Sequence, residues 1–187
     1  MAADVQHTFL FTDLVGFTAL AAAEGDDRAA DIALDLYARV RPLLADHCAE
    51  EVKTIGDALM LRCDEPAAGV RLALRIVEEL EAVPGFPPVR VGVHTGAAVC
   101  RHGDWYGTTV NVAARLCAVA AGGQVLVSEG TCEAAGRLRG VDLGNRELHW
   151  LKNLERPVAA RLANPHECGV ALRRAPRRLL FARAVTP

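Results

Sequence analysis

Two aspartates, Asp13 and Asp57, stand where the sequence predicts that β-strands end. Asp13 lies in "FTDLVGFT", residues 11–18, and interrupts an apolar run just before the chain turns into an Ala-rich stretch. Asp57 lies in "KTIGDALM", at the tip of a predicted hairpin. Two carboxylates at adjoining strand ends repel each other unless a cation neutralises them, and oxygen ligands suit Mg²⁺ or Mn²⁺. The structural alternative is that Asp13 caps the next helix and Asp57 fills a turn.

The loop after Asp13 has features of a phosphate site. Gly16 allows close approach of another group to the backbone, and the helical region predicted from Thr18 would begin with unpaired N–H groups. We therefore expect a metal ion and a triphosphate to bind together here, with Gly16 and Phe17 among the substrate contacts.

A second group of polar residues lies in "DWYGTTVNVAARL", residues 104–116. Asn111 and Arg115 are four residues apart and share one face of a predicted helix. A guanidinium beside an amide can stabilise charge that develops on phosphorus, although such a pair is also typical of a solvated helix face. Lys53 and Asp104 are further candidates, and each alone is typical of an exposed surface residue.

The hydrophobic pattern predicts the elements that must position these residues. It indicates strands at 8–12, 89–99, 124–128 and 156–162, a hairpin over 51–62, a long or broken helical region over 18–48, and helices over 66–80 and 110–121. The order is β-α-β-β-α-β followed by further αβ elements. We therefore expect an α+β fold with a ferredoxin-like βαββαβ core, with helices on one sheet face and the 51–62 hairpin beside the first strand.

Composition limits the function classes. A length of 187 residues suits one globular domain. The formal net charge of −2 argues against a nucleic-acid-binding protein. No signal peptide or membrane-spanning stretch is recognisable, and the six cysteines form no CxxC pair, so we expect a cytoplasmic protein. We expect a catalytic domain over residues 1–163 and a flexible Arg-rich tail over residues 164–187.

Four motifs in this order, "FTDLVGFT", "KTIGDALM", "VGVHTG" and "DWYGTTVNVAARL", resemble the catalytic domain of the class III nucleotidyl cyclases, particularly the compact bacterial ones. The resemblance covers residues 5–162. It implies that Asp13 and Asp57 hold two divalent metal ions, Mg²⁺ or Mn²⁺, with help from the carbonyl of Leu14. It also implies a homodimer with two composite sites, in which the metal carboxylates come from one subunit, whereas Lys53, Asp104 and the helix that carries Asn111 and Arg115 come from the other.

The same resemblance implies roles at the substrate. Lys53 and Asp104 would contact the base, Asn111 the ribose, and Arg115 the reacting phosphate. Lys152, in "WLKNLERPV", would contact the terminal phosphates, although Asn153 replaces the family's usual glycine.

The types of the two base-contacting residues indicate the substrate. Lys53 as donor and Asp104 as acceptor complement N1 and the 6-amino group of adenine, whereas guanine reverses both groups. Guanine-specific members of the family carry Glu and a small residue such as Cys at these positions. We therefore expect an adenylate cyclase, in which the ribose 3′-hydroxyl of ATP attacks the α-phosphorus and pyrophosphate leaves.

Two other functions fit parts of the pattern. A palm-type nucleotidyl transferase also uses two carboxylates and two metals, but the net charge argues against it. A degenerate module that only binds nucleotide should have lost a metal or transition-state residue, and the six principal positions are all filled here.

Overall fold

The computed structural model describes residues 5–166. The strands are β1 (Gln6–Leu14), β2 (Ala49–Ile55), β3 (Ala58–Cys63), β4 (Val89–Ala97), β5 (Val99–Arg101), β6 (Asp104–Tyr106), β7 (Val125–Ser128), β8 (Val141–Leu143), β9 (Glu147–His149) and β10 (Val158–Pro165). The helices are α1 (Phe17–Glu24), α2 (Asp26–Leu44), α3 (Pro66–Glu81), α4 (Thr108–Val119) and α5 (Glu129–Ala135), and a 3₁₀ turn, Ala45–His47, follows α2.

The first four strands and the helices between them form the expected ferredoxin-like core. The main sheet has the order β2-β3-β1-β4-β7-β10-β8, with β9 also paired to β10. β1 is antiparallel to both β3 and β4, whereas β7 is parallel to β4 and is reached through α4. The expected α+β class is confirmed, and the β2–β3 hairpin lies beside β1 as the sequence predicts.

Alternate residues of β1 face two different helical layers. Leu10 and Leu14 belong to a core with α2 and α3, whereas Phe9 and Phe11 pack against α4 on the other side of the sheet. The expectation of helices on one face only is therefore wrong for α4. Gly92 of β4 permits this second layer, because a Cβ there would lie 2.2 Å from the backbone nitrogen of Cys117 in α4.

A second apolar cluster also holds α4. Val112 and Leu116 of α4 pack with Leu126 of β7, Ala160 of β10 and Leu151 of the segment between β9 and β10. α4 is consequently held by two apolar clusters, one with β1 and β3 and one with β7, β10 and Leu151.

Several boundaries differ from the sequence prediction. The 18–48 helical region is broken at Gly25, which has φ 92°, and the predicted 89–99 strand is interrupted at Ala98 between β4 and β5. β10 runs to Pro165, so residues 164 and 165, which the predicted boundary assigns to the tail, lie in the sheet. The Arg-rich part of the tail lies outside the described residues. Within residues 5–166, no helix combines the length and hydrophobicity needed to cross a membrane.

Candidate active site

Asp13 and Asp57 come together at one end of the sheet. Asp13 is the penultimate residue of β1, and Asp57 lies in the turn between β2 and β3. The backbone N–H of Leu14 donates a hydrogen bond to Oδ2 of Asp57 at 3.3 Å. The strand pairing therefore brings the two predicted metal carboxylates to adjoining positions.

Side chains of α2 also hold the turn that carries Asp57 and the strand before it. The hydroxyl of Tyr37 donates a hydrogen bond to the carbonyl of Gly56, and Arg41 binds Glu51 of β2 through two hydrogen bonds of 2.8 and 3.0 Å. Sequence analysis missed both contacts, because the hydrophobic pattern of α2 identifies its buried face but not the strand that its polar residues meet.

The electrostatics of the pair favour a cation. The pKa of Asp57 is raised above its ordinary value, mainly by burial and then by the negative charge of Asp13. No cluster of three or more acidic, His or Cys ligands occurs among residues 5–166. Two carboxylates suit Mg²⁺ or Mn²⁺ bound together with a nucleotide, because such ions complete their coordination with water and phosphate oxygens.

Arg90 is a site residue that sequence analysis missed. It lies opposite Asp13 in the β1–β4 register, and its Nε donates to Oδ2 of Asp13 at 2.8 Å. Its Nη2 also contacts Oδ2 of Asp13, and its Nη1 donates to the carbonyl of Ala118 in α4 at 2.7 Å. The pairing of two predicted strands could have suggested the contact, but only if their register had been known.

The loop beyond Asp13 is open. Gly16 has φ 82°, and no atom of residues 5–166 lies within 4 Å of the place where a Cβ would stand. α1 begins at Phe17, and no side chain from the described part of the chain caps its N-terminus. Backbone N–H groups at the start of α1 are therefore available close to the two carboxylates.

Lys53 and Asp104 are brought together although 51 residues separate them in the sequence. Nζ of Lys53 donates to Oδ2 of Asp104 at 2.6 Å, and the N–H of Trp105 donates to Oδ1 of Asp104 at 2.8 Å. The Lys53 hydrogen bond, followed by that of Trp105, lowers the pKa of Asp104. The pair thus presents a cationic donor beside an ionised acceptor.

β5 and β6 pair as a short antiparallel ribbon that carries Asp104. This β5–β6 ribbon is anchored through Trp105. The Trp105 ring lies 4.4 Å from the ring of His7 and 5.6 Å from that of Phe9, measured between centroids. The guanidinium of Arg62 lies 5.0 Å from the centroid of the Trp105 ring. The predicted motif includes Trp105, but its anchoring role depends on β1 and β3 and could not be predicted from the motif alone.

Asn111 and Arg115 lie on α4 away from both packed faces. Val110, Ala113 and Cys117 of α4 pack with β1 and β3, and other residues of α4 pack with β7, β10 and Leu151. Asn111 is exposed and Arg115 is partly buried. Within residues 5–166, neither side chain forms a hydrogen bond or an ion pair with Asp13, Asp57, Lys53 or Asp104.

Lys152 is exposed at the start of a turn in the C-terminal region. The preceding Leu151 is only 4% exposed and belongs to the apolar cluster beside α4. The following Asn153 has φ 58°, in the left-handed region, which Asn tolerates better than most non-glycine residues. The residue that departs from the family pattern thus adopts a backbone conformation that a glycine would adopt easily.

Comparison with known proteins identifies one family for most of the chain. The family model described as the adenylate and guanylate cyclase catalytic domain matches residues 3–152. The chain is 44% identical over 134 residues to a pH-sensitive adenylate cyclase of Mycobacterium tuberculosis (strain CDC 1551 / Oshkosh), covering 70% of this chain and 33% of that protein. It is 35% identical over 117 residues to an adenylate cyclase of Streptomyces griseus, covering 63% of this chain and 29% of that protein.

A solved structure gives the same result for the fold. A structure of adenylate cyclases from Trypanosoma brucei in their monomeric state superposes with a TM-score of 0.74 and 27% sequence identity, covering 86% of this chain and 90% of that chain. The two curated relatives are longer, since the chain spans about a third of their length.

Proposed function

Because the chain belongs to the family of adenylate and guanylate cyclase catalytic domains, we propose that it is an adenylate cyclase, which converts ATP into 3′,5′-cyclic AMP and pyrophosphate. The observation that carries the choice of ATP is the contact of 2.6 Å between Lys53 and Asp104. The names of the bacterial relatives, both adenylate cyclases, support the same choice.

Base recognition follows from the hydrogen-bonding capacity of this pair. Lys53 can donate to N1 of adenine, and the ionised carboxylate of Asp104 can accept from the 6-amino group. Guanine would bring its N1–H donor to the Lys53 ammonium and its O6 acceptor to the Asp104 carboxylate. Groups left unpaired in a partly buried site reduce affinity, so the pair should discriminate against GTP.

Asp13 and Asp57 would hold two divalent cations, Mg²⁺ or Mn²⁺, with the carbonyl of Leu14 as a further ligand. When bound, such ions lower the pKa of the ribose 3′-hydroxyl and neutralise charge on the triphosphate. The raised pKa of Asp57 supports this assignment, since a cation would relieve the repulsion from Asp13 that contributes to it. The open backbone at Gly16 and Phe17 would accept phosphate oxygens.

Arg115 would stabilise the negative charge that develops on the α-phosphate, and Asn111 would orient the ribose toward it. Lys152 would contact the terminal phosphates. These three residues do not meet the Asp13–Asp57 end through any hydrogen bond or ion pair within residues 5–166. The face of α4 that carries Asn111 and Arg115 therefore supports a site that a second copy of the chain completes.

Exposed apolar side chains support such a homodimer. Val15 and Ile55 flank the Asp13–Asp57 end and are 38% and 48% exposed, and Val119 follows the Ala118 carbonyl that Arg90 binds. Val99 and Tyr106 lie on the ribbon that carries Asp104 and are 49% and 54% exposed. A head-to-tail dimer would cover both groups and bring each pair of carboxylates to the partner's α4.

A product assay tests the proposal. The protein is incubated with ATP or GTP in Mn²⁺ and in Mg²⁺, and the cyclic nucleotides are separated and quantified. We expect cyclic AMP and little cyclic GMP. ATP binding without cyclic AMP would indicate a degenerate module, and nucleotide transfer to an added primer-template would indicate a polymerase-like enzyme.

A further inference from the structure

The side chain of Arg90 connects the Asp13 carboxylate to α4. Two of its nitrogens, Nε and Nη2, contact the same oxygen of Asp13, and the third, Nη1, contacts the Ala118 carbonyl in the last turn of α4. The side chains of Arg90 and Asp13 are 25% and 26% exposed, so the ion pair is more shielded from solvent than most surface pairs.

This ion pair lies where a divalent cation would bind. Oδ2 of Asp13 already accepts hydrogen bonds from the guanidinium, and direct metal coordination at that oxygen would require at least one of them to break. The Arg90 charge also acts on Asp57, whose raised pKa it partly offsets. A fixed positive charge beside both carboxylates lowers their repulsion and also repels an incoming cation.

We propose that Arg90 is a tethered cation that neutralises Asp13 before metal binds and that the incoming divalent ion displaces. The inference rests on the proposed metal site at Asp13 and Asp57. The hydrogen bond to Ala118 explains how the guanidinium stays near after displacement, since a helix C-terminus favours a positive charge. Arg90 is thus a positioning residue that sets the affinity of the site for metal.

The proposal predicts opposite effects of removing the guanidinium on metal-free stability and on metal affinity. In Arg90→Met the aliphatic part of the side chain is kept, but Asp13 loses its counter-ion. The metal-free protein should melt at a lower temperature in EDTA. Mn²⁺ should bind on the order of three- to tenfold more tightly, because it no longer competes with the guanidinium for the Asp13 carboxylate.

The experiment measures free Mn²⁺ by electron paramagnetic resonance during a titration of the full chain. The titration is done with Mn²⁺ alone and again with saturating 3′-deoxy-ATP, which lacks the attacking hydroxyl. Arg75→Met is the matched control, since Arg75 also contacts two carboxylates, Glu78 and Glu79, but lies on α3 across the sheet. Arg90→Lys retains the charge with a single nitrogen and should lie between wild type and Arg90→Met.

The outcomes separate the two proposals. If wild type binds no Mn²⁺ in either titration, or if Asp57→Ala binds it as well as wild type, the proposed metal site is wrong. If wild type binds Mn²⁺ through Asp57 but Arg90→Met binds it equally or more weakly, the metal site stands and the tethered-cation inference is overturned. An equal gain in affinity in Arg75→Met would also overturn it, since net charge alone would then explain the effect.

Discussion

Asp57 has a raised pKa because it is partly buried and faces the negative charge of Asp13. A carboxyl whose pKa is higher in the folded state than in the unfolded state favours folding only while it is protonated. Its ionisation therefore reduces the free energy of unfolding as the pH rises from the ordinary pKa through the raised one. The metal site, on this argument, lowers the stability of the metal-free protein at neutral pH.

We expect Asp57→Asn to abolish cyclic AMP formation while raising the melting temperature in EDTA at neutral pH. The gain should be small, on the order of 1–2 °C, because the residue is partly exposed. It should shrink as the pH falls through the raised pKa of Asp57 toward the ordinary value of 3.8. Thermal melts of wild type and variant from pH 7 to pH 4, with parallel product assays, measure both effects.

A melting temperature that falls in Asp57→Asn at every pH would show that its carboxylate is structurally required, chiefly through the bond from Leu14. Asp46→Asn is a suitable control, because Asp46 is an exposed acid in the 3₁₀ turn after α2. It should change neither the melting temperature nor the activity.

The Lys53–Asp104 pair gives a prediction about substrate choice. Replacing Lys53 with Glu and Asp104 with Cys inverts the donor and acceptor pattern, so the ratio of kcat/KM for ATP to that for GTP should fall. Each correctly paired group in such a site contributes about 1–3 kcal/mol, so the ratio should change at least tenfold. Parallel assays with both nucleotides measure it, and an unchanged ratio would mean that these residues do not contact the base.

At the level of secondary structure, sequence patterns predicted the ferredoxin-like core but not the second helical layer. Apolar periodicity identified the strands and helices, and the Gly56–Asp57 turn identified the hairpin. Periodicity does not determine which sheet face a crossover helix covers, and the apolar residues of α4 contribute to two clusters, one with β1 and β3 and one with β7 and β10. The short strands β5, β6, β8 and β9 have only three residues each, too few for a periodic signal.

The position of α4 depends on the absence of a side chain at Gly92. A Cβ there would lie 2.2 Å from the backbone nitrogen of Cys117 and 2.4 Å from the carbonyl oxygen of Ala113. Gly92→Ala should therefore push α4 away from β4, lower the free energy of unfolding by about 1–3 kcal/mol, and displace Asn111 and Arg115. Chemical denaturation and the activity assay measure these effects.

Gly130→Ala is the matched control, because Gly130 lies in α5 and an added Cβ there would meet no neighbouring atom within 4 Å in the part of the chain that the structure describes. It should be neutral or slightly stabilising, since Ala favours a helix more than Gly does. If Gly92→Ala were as stable and active as Gly130→Ala, the close contact between β4 and α4 would not be needed for either property.

At the level of the whole molecule, the candidate site residues fall into groups that no hydrogen bond or ion pair joins within residues 5–166. Asp13 and Asp57 lie at one end of the sheet, Lys53 pairs with Asp104, and Arg115 lies on α4 outside its two apolar clusters. Motifs revealed the residues, but their division between two subunits came from the family resemblance and remains a prediction.

The division predicts that two inactive variants can restore each other. In a head-to-tail homodimer, a mixed dimer of Asp57→Ala and Arg115→Ala subunits has both lesions in one site and none in the other. Random pairing of equal amounts makes half the dimers mixed, each with one intact site of two, so activity should recover to about a quarter of wild type. Co-expression of the two variants, with cyclic AMP measured per total protein, tests this.

A pair of variants from the same side of the predicted division, Asp13→Ala with Asp57→Ala, is the control and should not recover, because every site then lacks one of its two carboxylates. Absence of recovery for Asp57→Ala with Arg115→Ala, despite demonstrated subunit exchange, would mean that each chain completes its own site and that α4 must move to reach Asp13.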